Sequence, residues 1–180
     1  MKPKLTYLLS LTFLFLFSGS SVVFADDWQD LRLAAEQGDD LAQYNMGVMY
    51  AKGEGVPQDY KEAAKWYRLS AEQGFAQAQS NLGSMYAAGE GVPQDYKEAV
   101  RWTQLAAEQG HPYAQHNLGV RYALGQGVPQ DSVLAHMWFN LSGSNGYKGA
   151  VEGRNLVETA MTPSQIEEAQ RLARNWRPKR

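Results

Sequence analysis

Between Asp40 and Lys52 apolar side chains return at helical spacing: Ala42, Met46 and Tyr50 stand at i, i+4 and i+8 on one face, which predicts an amphipathic helix. Gly53-Glu54-Gly55 follows, and glycine can take the left-handed conformation that closes a helix. Val56-Pro57 continues the loop, since proline disfavours helix at the residue before it. A second helix is expected from Asp59. Its carboxylate is placed to accept the amide of Glu62 while Glu62 reaches back, a capping box repeated by Asp95 and Glu98. Ala63, Trp66 and Leu69 or Ser70 are expected to form the buried face, and Gly38, Gly74 and Gly110 to mark successive exits.

This helix–turn–helix pattern recurs. Residues 39–74, 75–110 and 111–146 align without gaps at a spacing of 36, a period that marks a stacked-repeat architecture. The shared frame reads AQ-x-N-[ML]-G-x-x-Y-A-x-G-x-G-V-P-Q-D, then A-x-x-W, then L and a closing Gly. It is carried by Gly47, Tyr50, Pro57 and Trp66, by Gly83, Tyr86, Pro93 and Trp102, and by Gly119, Tyr122, Pro129 and Trp138. A glycine inside a helix costs about 1 kcal/mol against alanine, so its recurrence at 47, 83 and 119 implies a steric need. Close approach of two helix backbones is expected there, with Tyr50, Trp66 and their equivalents filling the space on either side.

The pattern A-x-x-x-L-G-x-x-Y-x-x-G-x-G-V-x-x-D-x-x-x-A-x-x-W-x-x-x-A-A-x-x-G resembles the Sel1-like repeat, a relative of the tetratricopeptide repeat. The resemblance covers about residues 39–146. It implies an all-α fold, an α/α superhelical solenoid of three Sel1-like helix-turn-helix repeats, and a role in binding a partner. It also implies that the first helices of the units line the concave side; many bacterial members of that family are exported, and the expected location is outside the cytoplasm, periplasmic or secreted if the protein is bacterial.

Solenoid ends need caps, because a terminal repeat leaves one apolar face unpaired. Residues 26–38 read as an N-terminal capping helix, since Ala34-Ala35-Glu36-Gln37-Gly38 matches Ala106-Ala107-Glu108-Gln109-Gly110. Residues 147–180 read as C-terminal capping helices. One is expected over about 148–159; the next has Thr162 as N-cap, Pro163 at the first turn, Gln165 completing a capping box and Met161 stapling onto Ile166. Its stripe of Ile166, Ala169, Ala173 and Trp176 is expected to cover Val133, Leu134 and Met137 of the third repeat.

The first 25 residues differ in character. Lys2 and Lys4 precede an apolar run from Leu5 to Phe17, then a small polar stretch and Val23-Phe24-Ala25. These are the parts of a secretory signal peptide with cleavage after Ala25; an uncleaved N-terminal anchor is the alternative. Without the two leader lysines, 15 basic residues face 19 acidic ones, a formal charge of −4. That balance argues against nucleic acid as a partner. The chain has no cysteine, so disulfides, thiolate nucleophiles and thiolate zinc sites are excluded.

Candidate chemistry is sparse. His111, His116 and His136 lack ligand-like spacing and read as polar surface or helix-end residues. Gly53-Glu54-Gly55 follows a helix and carries an acid where a phosphate would sit. Glu36, Glu72 and Glu108 recur with the repeat in near-identical surroundings, unlike an acid–base pair. No catalytic, metal or cofactor residue is assigned. A cell-envelope hydrolase, β-lactamase-like or cell-wall-active, and a polysaccharide-assembly factor remain alternatives. Sel1-like proteins associated with β-lactam hydrolysis are cysteine-rich, unlike this chain. Arg171, Arg174, Arg177, Lys179 and Arg180 crowd the C-terminus, as a solvated helix end or as a weak contact for an anionic polymer or membrane surface.

Partner-binding positions should vary while scaffold positions stay constant. Along the first helix of each unit four variable positions fall within about 80° of arc. They are Leu41, Tyr44, Val48 and Lys52; then Gln77, Ser80, Ser84 and Ala88; then Tyr113, His116, Val120 and Leu124. This stripe is the expected groove for an extended peptide or a helix, although solvent-facing positions vary too and Val120 and Leu124 can instead pack under the C-terminal cap. The expectation is an exported scaffold, adaptor or regulator that binds a protein or peptide without a cofactor.

Overall fold

The computed structural model describes the backbone of residues 23–179 and the side chains of residues 28–179. The expected leader lies outside the described residues, except that α1 starts at Val23, before the expected cleavage point. Among the described residues there are nine helices and no strand: α1 Val23–Glu36, α2 Asp40–Lys52, α3 Tyr60–Glu72, α4 Ala76–Ala88, α5 Tyr96–Glu108, α6 Pro112–Leu124, α7 Ser132–Ser144, α8 Ala150–Glu158 and α9 Pro163–Asn175. Each packs on the next through α8, and α9 returns onto α7. The chain is an all-α solenoid.

Local signals set the helix ends. Gly53 closes α2 at φ 73°, and Asp59 opens α3 by accepting the amides of Lys61 and Glu62. The reciprocal half of the expected capping box does not form. Glu62 turns to Lys65 and Glu98 to Arg101, because the Asp59 amide already donates to the Tyr50 carbonyl at 2.9 Å, as Asp95 does to Tyr86 and Asp131 to Tyr122. This bond ties the loop back to the preceding helix three times over. At Thr162 the full box with Gln165 is present.

Two packing expectations need correction. The buried face of α3 is Ala63, Ala64, Tyr67, Ser70 and Ala71, whereas Leu69 is exposed and Trp66 half-buried. The mid-helix glycines do not make room for Tyr50 and Trp66. A Cβ at Gly47 would lie 2.5 Å from the Tyr67 ring, one at Gly83 2.4 Å from Thr103 Oγ1, and one at Gly119 2.9 Å from the Phe139 ring. The group seated on each glycine is therefore residue 67, 103 or 139, which differs in every repeat. At the Thr103 copy backbone also crowds the glycine, with the Ala99 carbonyl 3.0 Å and the Thr103 amide nitrogen 3.1 Å from a Gly83 Cβ.

Buried glutamines join successive units. Gln43, Gln79 and Gln115 donate to the carbonyls of Ala35, Ala71 and Ala107, one unit back, and accept from Gln73, Gln109 and Asn145. Each thereby adds a second donor to a helix-end carbonyl that already accepts the amide of the closing glycine, Gly38, Gly74 or Gly110.

At the C-terminus the repeat changes where α9 docks. Leu134 and Met137 replace the Glu62–Lys65 and Glu98–Arg101 pairs of the earlier copies and pack, with Trp138 and Leu141, against Leu172, Ala173 and Trp176. The basic tail is partly absorbed. Arg171 pairs with Glu168, Arg177 turns back to the carbonyls of Arg174 and Trp176, and Lys179 holds Glu108 at 2.8 Å.

Candidate functional site

The face carried by the first helices is built from three equivalent clusters. In the first unit Tyr44 tilts against Tyr67 and Phe75, with ring centroids 5.8 and 5.1 Å apart. In the third, His116 takes the same place between Phe139 and Tyr147, at 5.3 and 4.8 Å. In the second the three places hold Ser80, Thr103 and His111, with Ser80 and Thr103 at 1% and 2% exposure. Rings thus hold all three places in the outer units, whereas the middle one has two small groups, Ser80 and Thr103, beside His111.

The result is a groove of about 320 Å³ centred on the first and second units. Tyr44, Val48, Ala51 and Lys52 of α2 form one wall, and Tyr60 and Tyr67 of α3 lie beside them. Asn81, Ser84 and Met85 of α4 lie across from them, with Glu90 in the following loop and Tyr113 of α6 at the far side. Burial pushes the Tyr67 hydroxyl up to about 12, so it stays a neutral donor at any ordinary pH. Ser84 donates to the Ser80 carbonyl and accepts from Asn117 at 3.4 Å. Lys52 sits 3.6 Å from Glu54.

Of the twelve stripe positions, Tyr44, Val48, Lys52, Ser84 and Tyr113 converge here. Leu41, Gln77, Ala88 and Leu124 are exposed but do not line the groove, and Ser80 faces the interior. His116 is covered by Tyr147, and Val120 packs into the cluster of Ala135, Phe139 and Ala150. The other lining residues escaped the variability criterion for different reasons. Asn81 is the same residue in all three units, whereas Tyr67 varies, to Thr103 and Phe139, but on the second helix rather than the first.

The histidines are not simple surface groups. His111 caps α6 by accepting the Ala114 amide at Nδ1, 3.2 Å away. His136 is fully buried, with Nε2 2.6 Å from Glu158 of α8. Burial lowers the pKa of both His111 and His116. Among the described residues no three His, Asp or Glu side chains converge as a metal cage, and no helix is long and apolar enough to cross a membrane.

The chain matches the Sel1 repeat family at residues 40–75, 76–111 and 112–147. A crystal structure of a Sel1 repeat protein from Oxalobacter formigenes is similar at 40% identity and a TM-score of 0.66, covering 72% of this chain and 97% of that one. The structure of c5321, a protective antigen of uropathogenic Escherichia coli strains with an SLR fold, matches at 32% identity and a TM-score of 0.52. That match covers 84% of this chain but 40% of the other. Helicobacter pylori cysteine rich protein B shares the fold at 17% identity and a TM-score of 0.58, covering 75% and 98%. No curated protein matches the chain.

Proposed function

The chain belongs to the Sel1 repeat family, generally a family of protein-interaction scaffolds, and on that premise we propose that it is an exported, non-enzymatic scaffold that holds a protein or peptide partner in the tyrosine-lined groove. The carrying observation is convergence: five variable positions from three successive units meet in one opening. Varying side chains at one opening on a constant frame is how repeat proteins change partners without changing fold.

The lining favours an extended segment over a whole helix. A helix keeps its backbone groups paired within itself, whereas the lining offers the Asn81 amide and the hydroxyls of Tyr44, Tyr60, Tyr67 and Tyr113. An extended segment instead offers backbone groups to Asn81 and to the tyrosine hydroxyls, and alternate side chains to Val48 and Met85. The proposed organisation is a leader of residues 1–25, a capping helix, three binding units from residue 39 to residue 146, and a C-terminal cap.

Capture from a cell-envelope extract tests this. The full chain should retain a partner that the Ser84→Trp variant, with its groove filled, and the Tyr44→Ala/Tyr113→Ala double variant both lose at unchanged helical content. Undiminished capture by both variants rejects the groove. Export is tested by N-terminal sequencing of the protein from the envelope fraction, where the first residue should be Asp26.

A further inference from the structure

Successive units meet in the same way but with different side chains at one place. Where the third unit meets the second, Arg121 of α6 sets its guanidinium carbon 5.3 Å from the centre of the Tyr96 ring and donates to the side-chain oxygen of Gln126. Thirty-six residues earlier the three equivalent positions are Met85, Tyr60 and Glu90. All three line the groove.

The two junctions share one geometry. A Cβ on Gly91 would meet the Tyr60 carbonyl at 2.1 Å, and one on Gly127 would meet the Tyr96 carbonyl at 2.1 Å. Gln58 donates to the Tyr60 hydroxyl at 3.1 Å, and Gln94 to the Tyr96 hydroxyl at 3.3 Å. The Tyr60 ring is therefore held as the Tyr96 ring is.

The chemical difference runs one way. Methionine stands where the other junction has arginine, and the neutral amide that accepts from arginine is replaced by a carboxylate, a stronger acceptor for a cation. Among the described residues no cation pairs with Glu90 and none stacks on Tyr60. Lys52, the cation in the same lining, lies beside Glu54. An apolar occupant would bury Glu90 without a partner, at a cost in affinity, whereas a guanidinium offers the planar face that stacks on tyrosine and the donors that fit a carboxylate.

We propose that the groove takes an arginine side chain of the partner, its guanidinium stacked on Tyr60 and hydrogen-bonded to Glu90, in the arrangement that Arg121 makes within the chain. This rests on the reading of the groove as the partner site.

Two blocked pentapeptides, one with a central arginine and one with citrulline in its place, are titrated into the full chain and followed by the tyrosine ring signals in NMR spectra. Citrulline keeps the shape and loses the charge. The arginine peptide should bind about tenfold more tightly, the combined value of one stacked cation and one charge-assisted hydrogen bond. Glu90→Gln should cut the preference to about threefold, the stacking on Tyr60 remaining and the charge assistance being lost. Met85→Arg, which reproduces the other junction, should abolish the difference with helical content preserved. Equal binding of the peptides, or no shift from either, overturns the proposal.

A captured partner separates this proposal from the reading beneath it. Loss with both Ser84→Trp and Glu90→Gln supports both. Loss with Ser84→Trp alone overturns the arginine and leaves the groove. Retention with both Ser84→Trp and Tyr44→Ala/Tyr113→Ala overturns both.

Discussion

Gln109 donates its side-chain amide to the side-chain oxygen of Gln79 at 2.8 Å, and Gln79 donates its own amide to the Ala71 carbonyl at 3.1 Å. The pair links the exit of one helix to the body of the next unit, with Gln79 buried at 4% exposure. Gln79→Leu nearly conserves volume but breaks two buried hydrogen bonds, leaving the Ala71 carbonyl with the Gly74 amide alone and taking the acceptor from Gln109, an expected loss of about 1–3 kcal/mol. Thermal unfolding followed by circular dichroism should show it, with the exposed Gln77→Leu variant unchanged within about 0.5 kcal/mol. A Gln79→Leu variant as stable as the parent would mean that water replaces the glutamine.

Gly74 and Gly91 share a left-handed backbone, φ 96° and 70°, but not their surroundings. A Cβ at Gly74 meets nothing within 4 Å, whereas at Gly91 it strikes the Tyr60 carbonyl. Gly74→Ala should cost only the conformational penalty of about 1 kcal/mol. Gly91→Ala must also push the first two units apart and should cost at least about twice as much. Urea unfolding of the two variants measures the difference; equal costs would show that the junction yields easily.

His116, between Phe139 and Tyr147, has its pKa lowered by burial, and His111 shifts the same way for the same reason. The unfolded chain therefore binds protons more readily than the folded one. Their contribution to stability is complete above the ordinary histidine value of about 6.5 and declines as pH falls through that value toward the lower folded-state values. Protonated His111 also gives up the lone pair that accepts the Ala114 amide. Urea midpoints should fall between about pH 7.5 and pH 5, and His116→Phe should reduce the fall. An unchanged pH dependence in that variant would remove His116 as a contributor.

Trp176 meets Trp138 edge to face at 6.2 Å, within the cluster that includes Leu134, Met137 and Leu141. Trp176→Ala should cost about 2 kcal/mol, below the value for a fully buried tryptophan because the residue is half-buried. It should also free α9 and increase binding of a hydrophobic dye, as the apolar surface on α7 opens. Hydrogen exchange confined to α9 would confirm that the loss is local, and exchange spread through α2 to α6 would contradict it.

The sequence by itself determined the period, the helices and most of their ends. Each rests on a few adjacent residues whose backbone preferences act locally: glycine after a helix, Asp59 or Thr162 before one, and Ala42, Met46 and Tyr50 on one face. Fixed spacing then required the units to stack. What the stack exposes was decided only in three dimensions. Tyr67, Thr103 and Phe139 set how closely paired helices approach, because each sits on a glycine of another helix. Ser80 and His116 occupy equivalent places, yet one lies inside and the other between two rings. Tyr60 and Glu90 look like ordinary parts of the repeat until Met85 is found where Arg121 stands one unit later. A helix face can be counted along one chain, but a groove depends on the relative sizes of side chains some thirty residues apart, and those sizes act only after the units have packed.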